Sequence, residues 1–203
     1  MIRGIVLAAG ASSRMGRPKA ALPFGQTGET LLGRVIRALL DGGVPDLVVV
    51  AGAHIDAVRE AMPAFAGAAR PTRVRMIEHG GWQRGQLSSL LAGLDAIDDH
   101  VLEAAIVMLV DVPLVAPSTV QAVVAEWRRT RAPIVRPVHS DRHGHPVVFD
   151  RSVFQDLREA DPDVGAKAVF AKHRLALVNV EVNDPGAFED IDTPEDYERI
   201  VNT

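Results

Sequence analysis

The chain predicts an α/β fold of three layers, α/β/α, on a mostly parallel mixed sheet of about seven strands. Two observations carry this. Short runs that are apolar at every position alternate with longer runs whose apolar residues recur at helical spacing. A strand with no polar face must be covered on both sides, and crossover helices between parallel strands provide that cover.

The elements follow in order. Ile5-Val6-Leu7 reads as a short buried strand. From Thr30 to Leu40 the apolar residues fall at 31, 32, 35, 36, 39 and 40, one helical stripe, and Gly42-Gly43 ends it. Leu47 to Val50 is a second buried strand, Ile55 to Met62 a helix, Val74 to Ile77 a third strand, and Leu87 to Ile97 a helix. Pro63 to Pro71, rich in Ala, Gly and Pro, reads as a loop. Ala104 to Val110 is the most apolar strand and runs out at Asp111. Ser118 to Trp127 is helical, with Pro117 where prolines favour a helix start. The Arg128-Arg129-x-Arg131 cluster then complements the helix dipole.

Beyond residue 132 the rhythm changes. Ile134 to Val138 and Pro146 to Phe149 are strands separated only by the polar stretch His139 to His145, which suits an antiparallel insertion. Helical segments at Val153 to Glu159 and Ala166 to His173 follow, then a strand from Leu175 to Val182 and a closing helix from Pro194 to Val201. No internal repeat or low-complexity segment interrupts the pattern, so residues 1–203 read as a single domain.

Composition narrows the function. The formal charge of −4 argues against a broad nucleic-acid surface. No apolar run approaches the ~18 residues of a membrane span, and Met1-Ile2-Arg3 leads into a strand rather than a signal segment. The absence of cysteine excludes disulfides and thiolate metal sites and fits a reducing cytoplasm. Positive charge gathers instead at Arg14, Arg17 and Lys19, which suits a small polyanion.

Those cations lie in the run Leu7-Ala8-Ala9-Gly10-Ala11-Ser12-Ser13-Arg14-Met15-Gly16-Arg17-Pro18-Lys19. Backbone N–H groups approach a polyphosphate only where side chains are small, as at Gly10, Ala11, Ser12, Ser13 and Gly16. Arg14 can fork onto phosphate oxygens and Lys19 adds a compact point charge. A Walker A loop does not fit, because five residues separate Gly10 from Gly16 and Ala20 follows Lys19. The dinucleotide fingerprint is absent too, since Ala11-Ser12 follows Gly10.

Asp111, at a strand's carboxyl end like the loop, is placed to hold Mg²⁺ against a triphosphate. Asp190-Ile191-Asp192 brings two further carboxylates on one side of an extended segment. Asp192 or Thr193 could equally cap the helix that starts at Pro194. Gly85-Gln86-Leu87-Ser88-Ser89 precedes a helix, and its amide and hydroxyls suit either a nucleobase edge or an N-cap, with Ser88 a capping candidate. His139, His143 and His145 lack the spacing of a common zinc site.

The first motif resembles the signature of the MobA-like nucleotidyltransferases, and within them that of the molybdenum cofactor cytidylyltransferases, which join CTP to molybdopterin. The resemblance continues, in order, at Gly85-Gln86-Leu87-Ser88-Ser89-Leu90, Asp111-Val112-Pro113-Leu114, Gly144-His145-Pro146-Val147-Val148-Phe149 and Asp190-Ile191-Asp192-Thr193-Pro194-Glu195-Asp196. It implies a Rossmann-like nucleotidyltransferase fold in which 1–131 mainly bind nucleotide and 132–203 mainly bind the acceptor. It implies nucleotide contacts from Leu7, Ala8, Ala9, Gly10, Ser12, Ser13, Gly16, Gln86, Ser88 and Ser89, with Arg14, Lys19 and Asp111 as catalytic residues. Mg²⁺ would lie on Asp111 and a residue of the Asp190–Asp192 pair, with Asp192 favoured. His143, His145 and Pro146 would face the acceptor. Ala9, where guanylyl-transferring relatives carry Gly, implies a pyrimidine nucleotide. Alternatives are transfer to a sugar or alditol phosphate, by guanylyl or other nucleotides, and a non-catalytic protein delivering cofactor to a molybdoenzyme.

Overall fold

The computed structural model describes residues 1–25, 28–62 and 73–201 of the 203. The predicted loop at 63–71 lies outside them. Eight strands among the described residues form one sheet. Its first half is parallel, built from β1 (Ile2–Ala8), β2 (Asp46–Ala51), β3 (Arg73–Glu78) and β4 (Ala104–Leu109) in the order β3-β2-β1-β4. β1 is the centre of this half, with Leu7 level with Val50 on one side and Leu109 on the other.

The second half carries the antiparallel insertion, with an order the sequence does not give. β5 (Ile134–His139) is followed by β7 (Val147–Asp150), yet β7 wedges between β4 and β5 and runs antiparallel to both. The polar stretch expected to be a plain connection contains a further two-residue strand, β6 (Arg142–His143), antiparallel to β5. β8 is shorter than the predicted strand, Val178–Glu181 only, and pairs parallel with β5. Leu175 projects into solvent, so apolarity there reflects no strand.

Helices α1 (Leu31–Asp41), α2 (Ile55–Ala61) and α4 (Pro117–Thr130) cover one face, and α3 (Gln86–Ile97), α5 (Phe154–Glu159) and α6 (Lys167–Lys172) the other. The α1 stripe is buried as its periodicity predicts, and the Thr30 hydroxyl caps it by accepting from Gly33 N–H at 3.0 Å. Arg131 ends α4 in a left-handed conformation, with its guanidinium over Trp127 and paired to Glu103. None of the described helices is long and apolar enough to cross a membrane.

A third apolar cluster matters most for the site. Met15, Leu22 and Leu31 pack with Ile191 and with Ile200 of α7 (Pro194–Val201), which pins the loop after β1 against the C-terminal segment. The backbone N–H of Ile191 also donates to the Asp111 carbonyl at 2.8 Å. Residues far apart in sequence are thereby held at one strand end.

Candidate active site

The loop that leaves β1 is held from behind and open in front. The Ala9 carbonyl accepts from Ala53 N–H at 3.0 Å, and His54 Nε2 lies 2.9 Å from the Ala11 carbonyl. The Ser12 carbonyl takes the N–H groups of Met15 and Gly16, and its hydroxyl accepts from Lys19 N–H at 3.2 Å. Ser12 and Gly16 sit at φ of 51° and 69°, left-handed conformations that let the chain double back. The N–H groups of Gly10, Ala11, Ser12 and Ser13 donate to no other described residue. A Cβ added at Gly10 would meet nothing within 4 Å. Four N–H groups without a bond among the described residues supply the donors of an anion nest.

This loop bounds a cavity of about 350 Å³ that also takes in Lys19 and Asp111. At its floor Lys19 Nζ lies 2.7 Å from Asp192 Oδ1 and 3.3 Å from Asp111 Oδ2, while Arg14 Nη2 reaches Asp192 Oδ2 at 2.9 Å. The structure therefore brings together Arg14, Lys19, Asp111 and Asp192. In this state both cations face carboxylates, with Lys19 only 9% exposed. Hydrogen bonding from Lys19, then the charges of Lys19 and Arg14, holds the Asp192 carboxyl below its usual range. Burial pushes Asp111 the other way, above that range, against the pull of Lys19 and with added repulsion from Asp192 and Asp190.

The competition between capping and ligation is resolved by Thr193. Its hydroxyl accepts from Asp196 N–H at 3.2 Å, and Asp196 Oδ2 accepts from Thr193 N–H at 3.0 Å, a reciprocal capping box. The Asp192 carboxylate is thus left to pair with Lys19 and Arg14. Asp190 is exposed and reaches Asp111 only through its charge. Asp111 Oδ1 is buried with no hydrogen-bond partner. An orphaned carboxylate oxygen beside a second carboxylate suits a hard divalent cation. Among the described residues no three His, Asp or Glu side chains cluster to hold a metal, so two carboxylates would leave the remaining ligand positions to phosphate and water oxygens.

His54, Trp82, Gln83, Gln86 and Ser89 complete the cavity wall. The Gly85–Ser89 run does not precede the helix. Gly85, at φ 96°, is the N-cap and Gln86 opens α3, so Gln86 and Ser89 face the cavity from its first turn. Ser88 is placed elsewhere. Its hydroxyl lies within hydrogen-bonding distance of the Gly81 and Gly85 carbonyls and of His79 Nε2, so it braces the preceding loop and caps nothing. Sequence reading did not single out Trp82, His54 or Gln83. A tryptophan just before a loop-ending glycine is the one signal that could have found the first.

A second cavity of about 430 Å³ adjoins the first, and Leu7, Gln86 and Leu109 line both. His143 and His145 line it, whereas Pro146 is buried behind them. Burial holds His145 down at about 4, so the ring is neutral at physiological pH. Burial, then the nearby Arg136, also lowers His143. Gly144 is required where it stands, because a Cβ there would lie 2.1 Å from the Ala187 carbonyl oxygen. His139 turns away to Glu181.

A largely parallel sheet with an anion nest after its first strand, and a lysine between two carboxylates at the neighbouring strand end, defines a nucleotidyltransferase-type α/β domain. The chain belongs to the MobA-like NTP transferase family, whose model matches residues 4–177. Nicotine blue oxidoreductase of Paenarthrobacter nicotinovorans is 32% identical over 98% of this chain and 96% of its own length. A probable molybdenum cofactor guanylyltransferase of Mycolicibacterium paratuberculosis is 31% identical over 70% of this chain and 66% of its own. The crystal structure of Rv0371c from Mycobacterium tuberculosis superposes with a TM-score of 0.80 at 31% identity, covering 100% of this chain and 97% of that one. A complex of that protein with manganese is also similar, at TM-score 0.76 and 29% identity over 100% and 98% of the two chains.

Proposed function

We propose that this chain transfers CMP from CTP to a phosphorylated acceptor of the molybdopterin type, releasing pyrophosphate, with Mg²⁺ on Asp111 and Asp192. The observation that carries this is the Lys19 ammonium held between two carboxylates on the floor of a cavity walled by free backbone donors. Residues 1–131 would supply most of the nucleotide site and 132–203 most of the acceptor site, with Asp192 crossing that division. A cytoplasmic setting goes with the reading.

An acceptor phosphate oxygen attacks the α-phosphorus, and the bond from that phosphorus to the β-phosphate bridge breaks. A phosphate monoester has a second pKa near 6 and is largely ionised at neutral pH, so no general base is needed. The residues position the reactants and neutralise charge. The N–H groups of Gly10 to Ser13 receive the polyphosphate, and Lys19 and Arg14 exchange carboxylate partners for β- and γ-phosphate oxygens. Asp111 and Asp192 would hold a divalent ion, which would neutralise charge shared with the departing pyrophosphate.

Support for a pyrimidine comes from the polar residues of the cavity wall. Gln83 and Gln86 offer amides, each both donor and acceptor, and the one carboxylate among the lining residues is Asp111 at the phosphate end. Guanine, with two adjacent donors, is best met by a carboxylate. A thermal-shift panel of the four ribonucleoside triphosphates with Mg²⁺ tests this. Greatest stabilisation by CTP is expected, preference for GTP overturns the cytidylyl assignment, and no response to any of the four overturns transfer.

A second reading, oxidoreduction of a small molecule, is favoured by the end-to-end likeness to nicotine blue oxidoreductase. Pyrophosphate release from CTP in the presence of molybdopterin separates the two.

A further inference from the structure

The second cavity holds a charge that the transfer chemistry leaves unused. Ile134 lies opposite Phe149 and Val138 opposite His143, so β5 turns Ile134, Arg136 and Val138 to the same face as Phe149 and His143. Leu87, Leu90, Val107, Phe149 and Phe170 line the cavity over that face, with His143 and His145 beside them. A guanidinium there loses hydration, and burial pushes its pKa down.

Among the described residues no carboxylate compensates Arg136. Its Nε donates to Asn179 Oδ1 at 3.0 Å from the neighbouring strand, and its plane lies 5.2 Å from the centroid of Phe170. Those two contacts fix the fork's orientation and leave the four N–H bonds of Nη1 and Nη2 for a ligand. Asp163 and Lys167 stand at the exposed rim with opposite charges, so the interior keeps the sign of Arg136. β5 lies two strands from β4, about 10 Å away at the usual strand spacing. Arg136 lines the second cavity and not the first, whereas Asp111 lines the first and not the second.

We propose, resting on the transfer reading, that the acceptor has a flat, largely apolar body ending in an anionic group, and that Arg136 is the specificity residue that grips that group. A polyol phosphate fits less well, because most of its hydroxyls would be desolvated against Leu87, Leu90 and Val107.

The test uses the full chain and three probes followed by calorimetry. These are 2-naphthoate, naphthalene-2-methanol (the same body without charge) and glucose 1-phosphate. Naphthoate is expected to bind more tightly than glucose 1-phosphate and to lose at least about tenfold in affinity in Arg136→Met, the scale of a forked charge-assisted contact. Naphthalene-2-methanol should be indifferent to the substitution. Arg136→Lys keeps the charge without the fork and should lose only a few-fold, which separates recognition from any loss of fold. The proposal fails if Arg136→Met leaves naphthoate affinity unchanged, if the alcohol weakens as much as the acid, or if glucose 1-phosphate binds best. CTP binding reads the other cavity, so failure of the transfer reading shows there and not in these probes.

Discussion

The two cavities share a wall and differ in construction. The first is made where strands end, from the loop after β1 and from Val110 and Asp111 after β4, with Asp192 reaching it through Lys19. Its floor is charged, but each carboxylate has a cation within hydrogen-bonding distance. The second is made on the face of the sheet, where the antiparallel β7 broadens it, and its apolar lining surrounds one guanidinium without a carboxylate. Strand ends supply backbone donors and acidic residues for a polyphosphate. A sheet face supplies area, and so suits a flat body.

The largest effect that would break this contrast is on turnover. Lys19→Ala or Asp111→Asn should lower CTP-dependent pyrophosphate release by at least ~10²-fold, the scale of one preorganised electrostatic partner. Naphthoate binding next door should be unmoved in the same variants. Near-wild-type release would remove the substituted residue from the chemistry.

Gly144→Ala acts on the other side. Its Cβ would collide with the Ala187 carbonyl, so urea unfolding should show roughly 2–3 kcal/mol lost, with acceptor KM raised and CTP affinity retained.

Acid should strike the second cavity through His145. The unfolded imidazole titrates near 6.5 and the folded one near 4, so the unfolded chain binds a proton that the folded one refuses between those values. Stability is complete above about pH 6.5 and falls as the pH drops toward 4, by about 2 kcal/mol after allowance for partial exposure. Urea midpoints at pH 7 and 4.5 measure it, and His145→Gln should reduce the slope.

The smallest effect sharpens the role of Thr193. Thr193→Ala removes a cap worth about 1 kcal/mol, a Tm shift of ~2–4 °C for a chain this size. The KM for CTP should stay close to wild type, since Asp192 and not Thr193 pairs with Lys19 and Arg14.

Legibility in the sequence follows the same division. The buried parallel strands, the α1 stripe and the acidic end of β4 are local patterns, and each was readable from a few consecutive residues. Asp192 could be narrowed to a pair, because alternation marks a side but not which residue meets a cation 173 positions away. The insertion of β7 between β4 and β5 depends on which strands meet, which no local pattern encodes. β6 is two polar residues made a strand only by pairing with β5. Ser88 looked like a cap because its type is right, but the helix had already begun at Gln86. Arg136, between Val135 and Pro137, carries a further local signal, a charge in the middle of a largely apolar strand.

The bond from Ile191 N–H to the Asp111 carbonyl makes the separation of the two acidic side chains a property of the main chain. Neutralising either one should leave the other where it was, without collapse toward a freed cation or recoil from it. Point replacements in this cleft therefore report on missing charge more than on displaced geometry, which is what a kinetic dissection of such a centre requires.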